Sequence, residues 1–113
     1  MDWRESARER YPEQIEVVRE YLEQEAANSR IVEYAEIFHS IPSTDRFNIG
    51  DILGVISSDT FAQRGVMLSA IVVLQANGRP GKGFFSCAES LGLIFLDREE
   101  FWIEQVRRVF DAY

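Results

Sequence analysis

The stretch Gly78-Arg79-Pro80-Gly81-Lys82-Gly83 is the part of this sequence best equipped for chemistry. Glycines let backbone N–H groups approach an anion, and Arg79 and Lys82 add positive charge, so phosphate is the ligand such a turn suits. A P-loop requires Gly-Lys followed by Ser or Thr, whereas Lys82 is followed by Gly83. A Gly-x-x-Gly loop of the RNA-binding KH kind, here Gly78 to Gly81, would join two helices rather than follow a strand. The reading preferred is a structural turn or wing shaped by Gly78, Pro80, Gly81 and Gly83, with phosphate contact as the alternative.

The remaining reactive side chains are scattered. Nucleophilic catalysis by Cys87 with His39 as base would need hydrogen-bond reach and a third, orienting group, and no spacing supplies them. Cys87 sits among Phe85 and Ala88 and reads as a buried small hydrophobe. As the sole cysteine it forms no internal disulfide, in keeping with a reducing compartment. His39 alone lacks the clustered partners of a zinc site, so neither metal nor cofactor is expected. Carboxylate pairs such as Glu33 with Glu36 and Glu99 with Glu100 read as solvated helix faces; glycosidase chemistry would need a cleft between them. No catalytic residue is assigned, no small-molecule substrate is evident, and the chain is read as non-enzymatic.

Apolar spacing sets out the elements that would position these groups. Pro12 restricts Tyr11 and favours a helical first turn, predicting a helix over 12–27 whose buried stripe is Ile15, Val18 and Leu22, flanked by Tyr11 and Ala26. A short extended piece at 30–32 precedes a helix carrying Tyr34, Ile37, Phe38 and Ile41, closed by Pro42. Ser43 or Thr44 is placed to cap a third helix from about Asp45 to Ala62, ended by Gly65. Its expected inner face is Ile49, Ile52, Leu53 and Ile56, which turns Asp45, Asn48, Asp51, Val55 and Asp59 outward. Met67 to Leu74, with Ile71, Val72 and Val73 at its centre, reads as an apolar strand. A helix over 84–91, stopped by Gly92, and a last helix opened by Asp97 with Glu100 as its capping-box partner complete the chain. That last helix is expected to bury Trp102, Val106, Val109 and Tyr113.

The order strand, helix, Ser/Thr-capped helix, apolar strand, Gly-rich turn and helix over Ile31 to Phe95 resembles the winged-helix domain of alkylguanine-DNA alkyltransferases and alkyltransferase-like proteins. Tyr34, Ala35 and Ile37 sit where that family opens its helix-turn-helix, and Ile49, Gly50, Ile52 and Leu53 resemble its recognition helix. The family's reactive Pro-Cys-His-Arg-Val stretch reads Leu68, Ser69, Ala70, Ile71, Val72 here, without nucleophile or histidine. Its DNA-intercalating arginine falls on Phe47, with Arg46 one place off. Alkyl transfer is therefore not expected. A closer likeness is to small uncharacterised bacterial domains with a Gly-x-Pro-Leu-Leu-Ser-Ala-x-Val-Val strand and a Gly-x-Pro-Gly-x-Gly-Phe-Phe turn, matched by Gly65 to Val73 and Gly78 to Phe85. That likeness implies a fold and a bacterial origin. The expected fold is a mostly helical α+β single domain: an acidic helical segment at 1–28, a winged-helix-like core at 30–95 and a C-terminal helix at 97–113.

Charge then sorts the function classes. The 113 residues, 46% hydrophobic and 27% charged, suit one globular core. Their net charge of −7 divides into −4 over residues 1–29, 0 over 30–88 and −3 over 89–113. Phosphate neutralisation dominates nonspecific nucleic-acid binding, so only the neutral middle fits a nucleic acid, through Arg46, Arg64, Arg79 and Lys82. The outward carboxylates of the third helix oppose even that. No apolar run approaches a membrane span and the residues after Met1 do not resemble a signal peptide, so a cytoplasmic location and no membrane partner are expected. The leading expectation is a protein-interaction adaptor or regulator that docks another protein or a second copy of itself. The alternatives are a DNA-associated winged helix of a phage, mobile-element or defence system, and an acidic DNA mimic that inhibits a DNA-binding protein.

Overall fold

Asp2 opens the computed structural model, which describes residues 2–113, by accepting a hydrogen bond from the Arg4 N–H (2.9 Å) and so capping helix α1 (Trp3–Arg10). The apolar pattern did not isolate this helix, because Ala7 is its one buried residue. Tyr11 ends α1, and Pro12 begins α2 (Pro12–Ala27). Val18, Leu22 and Ala26, four apart, are buried along one stripe as their spacing requires, with Tyr11 and Ile15 half-buried against the same core.

Strand β1 (Val32–Glu33) leads directly into α3 (Tyr34–Ser40). Glu33 and Glu36, expected to be only a solvated pair, form a reciprocal capping box. The Glu36 carboxylate accepts the Glu33 N–H at 2.8 Å and pairs with Arg30 at 2.7 Å. Those two bonds, the first above all, hold Glu36 below the usual carboxylate range.

Helix α4 (Ile49–Arg64) is the central element, packed against α1, α2 and the segment that follows it. It starts later than its pattern predicts. Thr44 donates to the Ile41 carbonyl instead of capping, and Asp45 accepts from the Phe47 and Asn48 N–H groups, making a turn ahead of the helix. Gly65, in the left-handed region at φ +73°, ends it as expected.

The Met67 to Leu74 strand is corrected. Leu68–Ile71 is a 3-10 helix, and strand β2 is only Val72–Val73. Side chains take the place of a neighbouring strand. The Met67 N–H donates to Gln105 Oε1 (3.1 Å), the Leu68 N–H to Thr60 Oγ1 (3.1 Å) and the Ser69 N–H to Ser57 Oγ (3.0 Å). The Ala70 carbonyl accepts from the Trp102 indole (2.8 Å). With its backbone satisfied by these partners, a fully buried apolar segment has no need of a sheet.

β1 and β2 pair in parallel, Val32 opposite Val72 and Glu33 opposite Val73. The chain then passes through the Gly-rich turn into α5 (Lys82–Ser90) and α6 (Arg98–Ala112). Asp97 caps α6 by accepting the Glu100 N–H (3.0 Å), which is one half of the capping box its spacing predicts. Of the four residues expected to be buried on α6, Val109 is fully so, while Trp102, Val106 and Tyr113 are half-buried against the core. The architecture is mostly helical α+β. Among the described residues no antiparallel hairpin flanks the turn, and no helix is long and apolar enough to cross a membrane.

Candidate functional site

The Gly-rich turn is closed by its own backbone. Gly78, at φ +67°, donates to the Leu74 carbonyl, and Leu74 donates to the Arg79 carbonyl, both at 2.8 Å. The Arg79 N–H donates to Asn77 Oδ1 (3.0 Å). The Gly78 and Arg79 N–H groups, which a phosphate loop would present to its anion, are thus spent inside the turn. Pro80 is buried, Gly81 precedes the first helical residue of α5, and Lys82 and Gly83 lie in that helix's first turn. A Cβ at Gly81 would sit 3.1 Å from the Tyr34 hydroxyl, so the tyrosine occupies the space a side chain would need. Burial pushes the Tyr34 phenol up.

The four basic residues expected to hold nucleic acid fall at three places in the fold, with only Arg79 and Lys82 near one another in the chain. Arg79 pairs with Glu99 of α6 at 2.6 Å, and Lys82 is exposed on α5. Arg46 lies over the Phe47 ring, 4.8 Å from its centre, before α4 begins. Arg64 closes the other end of that helix, about 24 Å away by helical rise. There it donates to the Ala112 carbonyl (2.6 Å) and covers the Tyr113 ring.

The groove-facing side of α4 is also corrected, because α1 lies across it. Val55 is fully buried and Asn48 nearly so. Asp59 takes a two-pronged bond from the Arg8 guanidinium (2.8 and 2.9 Å), which holds its carboxyl below the ordinary aspartate range. The Arg4 Nε–H donates to Ser58 Oγ (2.9 Å), and the Trp3 indole covers Gly54. Asp45 and Asp51 alone of the five expected outward residues are exposed.

Cys87 is buried, its thiol donating to the Gly54 carbonyl at 3.6 Å, and burial pushes that thiol up. It lines a cavity of about 260 Å³ with Trp3, Gly50, Gly54, Gly83 and Ser86. His39 is exposed in the last turn of α3 and is not among the polar neighbours of the thiol. Among the described residues no three His, Cys, Asp or Glu side chains gather as metal ligands.

Two features escaped the sequence. The first is a cleft of about 330 Å³ between the turn and α6, lined by Arg79, Pro80, Phe85, Arg98, Glu99 and Trp102. Arg98 lies over Phe85, 5.2 Å from the ring centre. Phe85 continues into an aromatic cluster, with Phe95 at 5.9 Å and Phe95 stacked on Phe101 at 4.4 Å. The second is the segment joining α5 to α6, where Leu93 and Phe95 turn inward while Ile94 and Leu96 are 93% and 103% exposed. An arginine in the first turn of a predicted helix, where the dipole disfavours cations, was the available signal for the first. Alternating apolar residues between Gly92 and the Asp97 cap were the signal for the second.

No protein-family model matches the chain, and neither a curated protein nor a solved structure matches it.

Proposed function

We propose that this chain is a non-enzymatic protein-interaction module, an adaptor or regulator. Its helix-rich scaffold is winged-helix-like in element order: α3, α4, β2, Gly-rich turn, α5. The observation that carries the reading is the pair Ile94 and Leu96. Isolated exposed apolar residues are ordinary, but two large aliphatic side chains standing fully in water on one short segment are costly unless something covers them. Their inward neighbours anchor the segment to the core, so the pair is presented on a fixed support.

Electrostatics favour a protein partner over DNA. The net charge of −7 repels phosphate, the basic residues are dispersed or paired, and α1 covers much of the helix face a groove would meet. Light scattering over a concentration series, and affinity capture from the source cells, test the reading against an Ile94→Glu, Leu96→Glu double variant. The expected result is that associated mass or captured partner is lost in the variant while its circular dichroism is unchanged. Association that survives the double substitution overturns the reading. So does binding of duplex DNA at about 0.15 M salt that Arg79→Glu with Lys82→Glu abolishes.

A further inference from the structure

We propose that the cleft between the Gly-rich turn and α6 receives an acidic peptide segment of the partner. One apolar or aromatic side chain would rest on Pro80, Phe85 and Trp102, and an adjacent carboxylate would be held by Arg98. The inference rests on the protein-interaction reading and narrows it to a partner chemistry.

Arg98 is the starting point. It occupies the first position of α6, where the helix dipole presents positive charge and a cation is disfavoured. Glu99 and Glu100 follow the dipole rule in the same turn, and Arg98 does not. Among the described residues its guanidinium has no ion-pair partner. It lies instead over the Phe85 ring at the edge of the cleft. That cation–π contact engages none of the guanidinium N–H donors, which a carboxylate from outside the fold would satisfy.

The cleft decides what accompanies the anion. Pro80, Phe85 and Trp102 supply its apolar surface, with the Trp102 N–H already committed to the Ala70 carbonyl, while Asn77 and the Arg79–Glu99 pair line its polar side. At about 330 Å³ the cleft has room for one or two side chains, not for a folded element. Arg98 carries a single uncommitted charge, because the second guanidinium, Arg79, is held by Glu99. One carboxylate matches that charge, while a phosphate dianion would call for both arginines. The cleft also continues the exposed strip: Phe85 packs on Phe95, the residue between Ile94 and Leu96. A peptide seated here would run on over those two side chains.

The test is a titration of the ¹⁵N-labelled protein, followed by NMR, with the blocked peptide acetyl-Gly-Phe-Asp-Gly-amide to about 5 mM, a range suited to a contact this small. Saturable shifts of the Trp102 indole N–H and of the Phe85 and Arg98 amides are expected, with Trp3 unmoved as the internal control. Replacing the peptide's Asp by Asn, its Phe by Ala, or Arg98 by Glu (Arg98→Glu) should each weaken binding about tenfold, the effect of one lost charged hydrogen bond or one apolar anchor. Shifts that do not saturate, that are undiminished when the peptide's Asp is replaced by Asn or its Phe by Ala, or that persist undiminished in Arg98→Glu overturn the inference. The association measurement with Ile94→Glu, Leu96→Glu keeps the two readings separate. If that variant loses its partner while the peptide produces no saturable shift, the cleft inference falls and the interaction module stands.

Discussion

At the scale of single residues, Gly54 and Trp3 show the closest approach at any glycine of the chain. A Cβ at Gly54 would lie 2.5 Å from the indole, closer than any real contact, so the mid-helix glycine makes room for α1 to dock. Elsewhere in a helix a glycine costs roughly 0.5–1 kcal/mol relative to alanine. Gly54→Ala should therefore destabilise the protein by about 1–2 kcal/mol, by displacing the indole, and become neutral or stabilising once Trp3→Ala has removed it. Urea unfolding of the two single variants and the double variant measures that reversal. Asp59 gives a second residue-level expectation. Its carboxyl is held down by the Arg8 hydrogen bonds, so the pair stabilises the fold above the ordinary aspartate range and loses that effect as pH falls through the depressed folded value. Because both partners are partly exposed, Asp59→Asn should cost only about 0.5–1 kcal/mol at pH 7. The gap between variant and wild type should close toward pH 2 in urea midpoints measured across the acid range.

Between elements, the 3-10 segment Leu68–Ile71 shows what sequence patterns convey and what they omit. The helices were legible because Val18, Leu22 and Ala26, or Ile49, Ile52 and Ile56, repeat at the helical period and the buried faces follow. The run Leu68 to Val73 carries the composition of a strand, but composition fixes burial, not the hydrogen-bond partner. Here the partners are Ser57, Thr60, Trp102 and Gln105, which lie 8 to 38 positions away and are invisible to any local reading. The outward face of α4 was misplaced for a related reason: α1, with one buried residue, left no apolar trace of the helix it covers. The cleft was missed because Arg79, Phe85 and Arg98 meet only after three elements are assembled. Thr60 supports the segment twice, donating to the Val66 carbonyl and accepting from the Leu68 N–H, both buried. Thr60→Val keeps the shape and orphans both groups, so a loss of about 2–3 kcal/mol in chemical denaturation is expected, against under about 1 kcal/mol for an exposed control such as Ala62→Val.

In the whole molecule, charge and apolar exposure are unevenly shared. The acidic helices face water, while the uncovered apolar side chains Ile94 and Leu96 adjoin the aromatic cluster and the arginine-edged cleft. The parallel ladder between Val32 and Val72 adds a different kind of consequence, one of time. Its two strands are separated by α3, α4 and the 3-10 segment, and a pairing so distant along the chain bears a loop-closure cost until those elements have packed. The ladder should close after the rate-limiting step. Val32→Ala, which opens a cavity at a fully buried site, should then speed unfolding several-fold and leave the refolding rate nearly unchanged, a φ-value near zero in stopped-flow chevrons. The strand pair that joins the two halves of the sequence would be the last seam to close and the first to open.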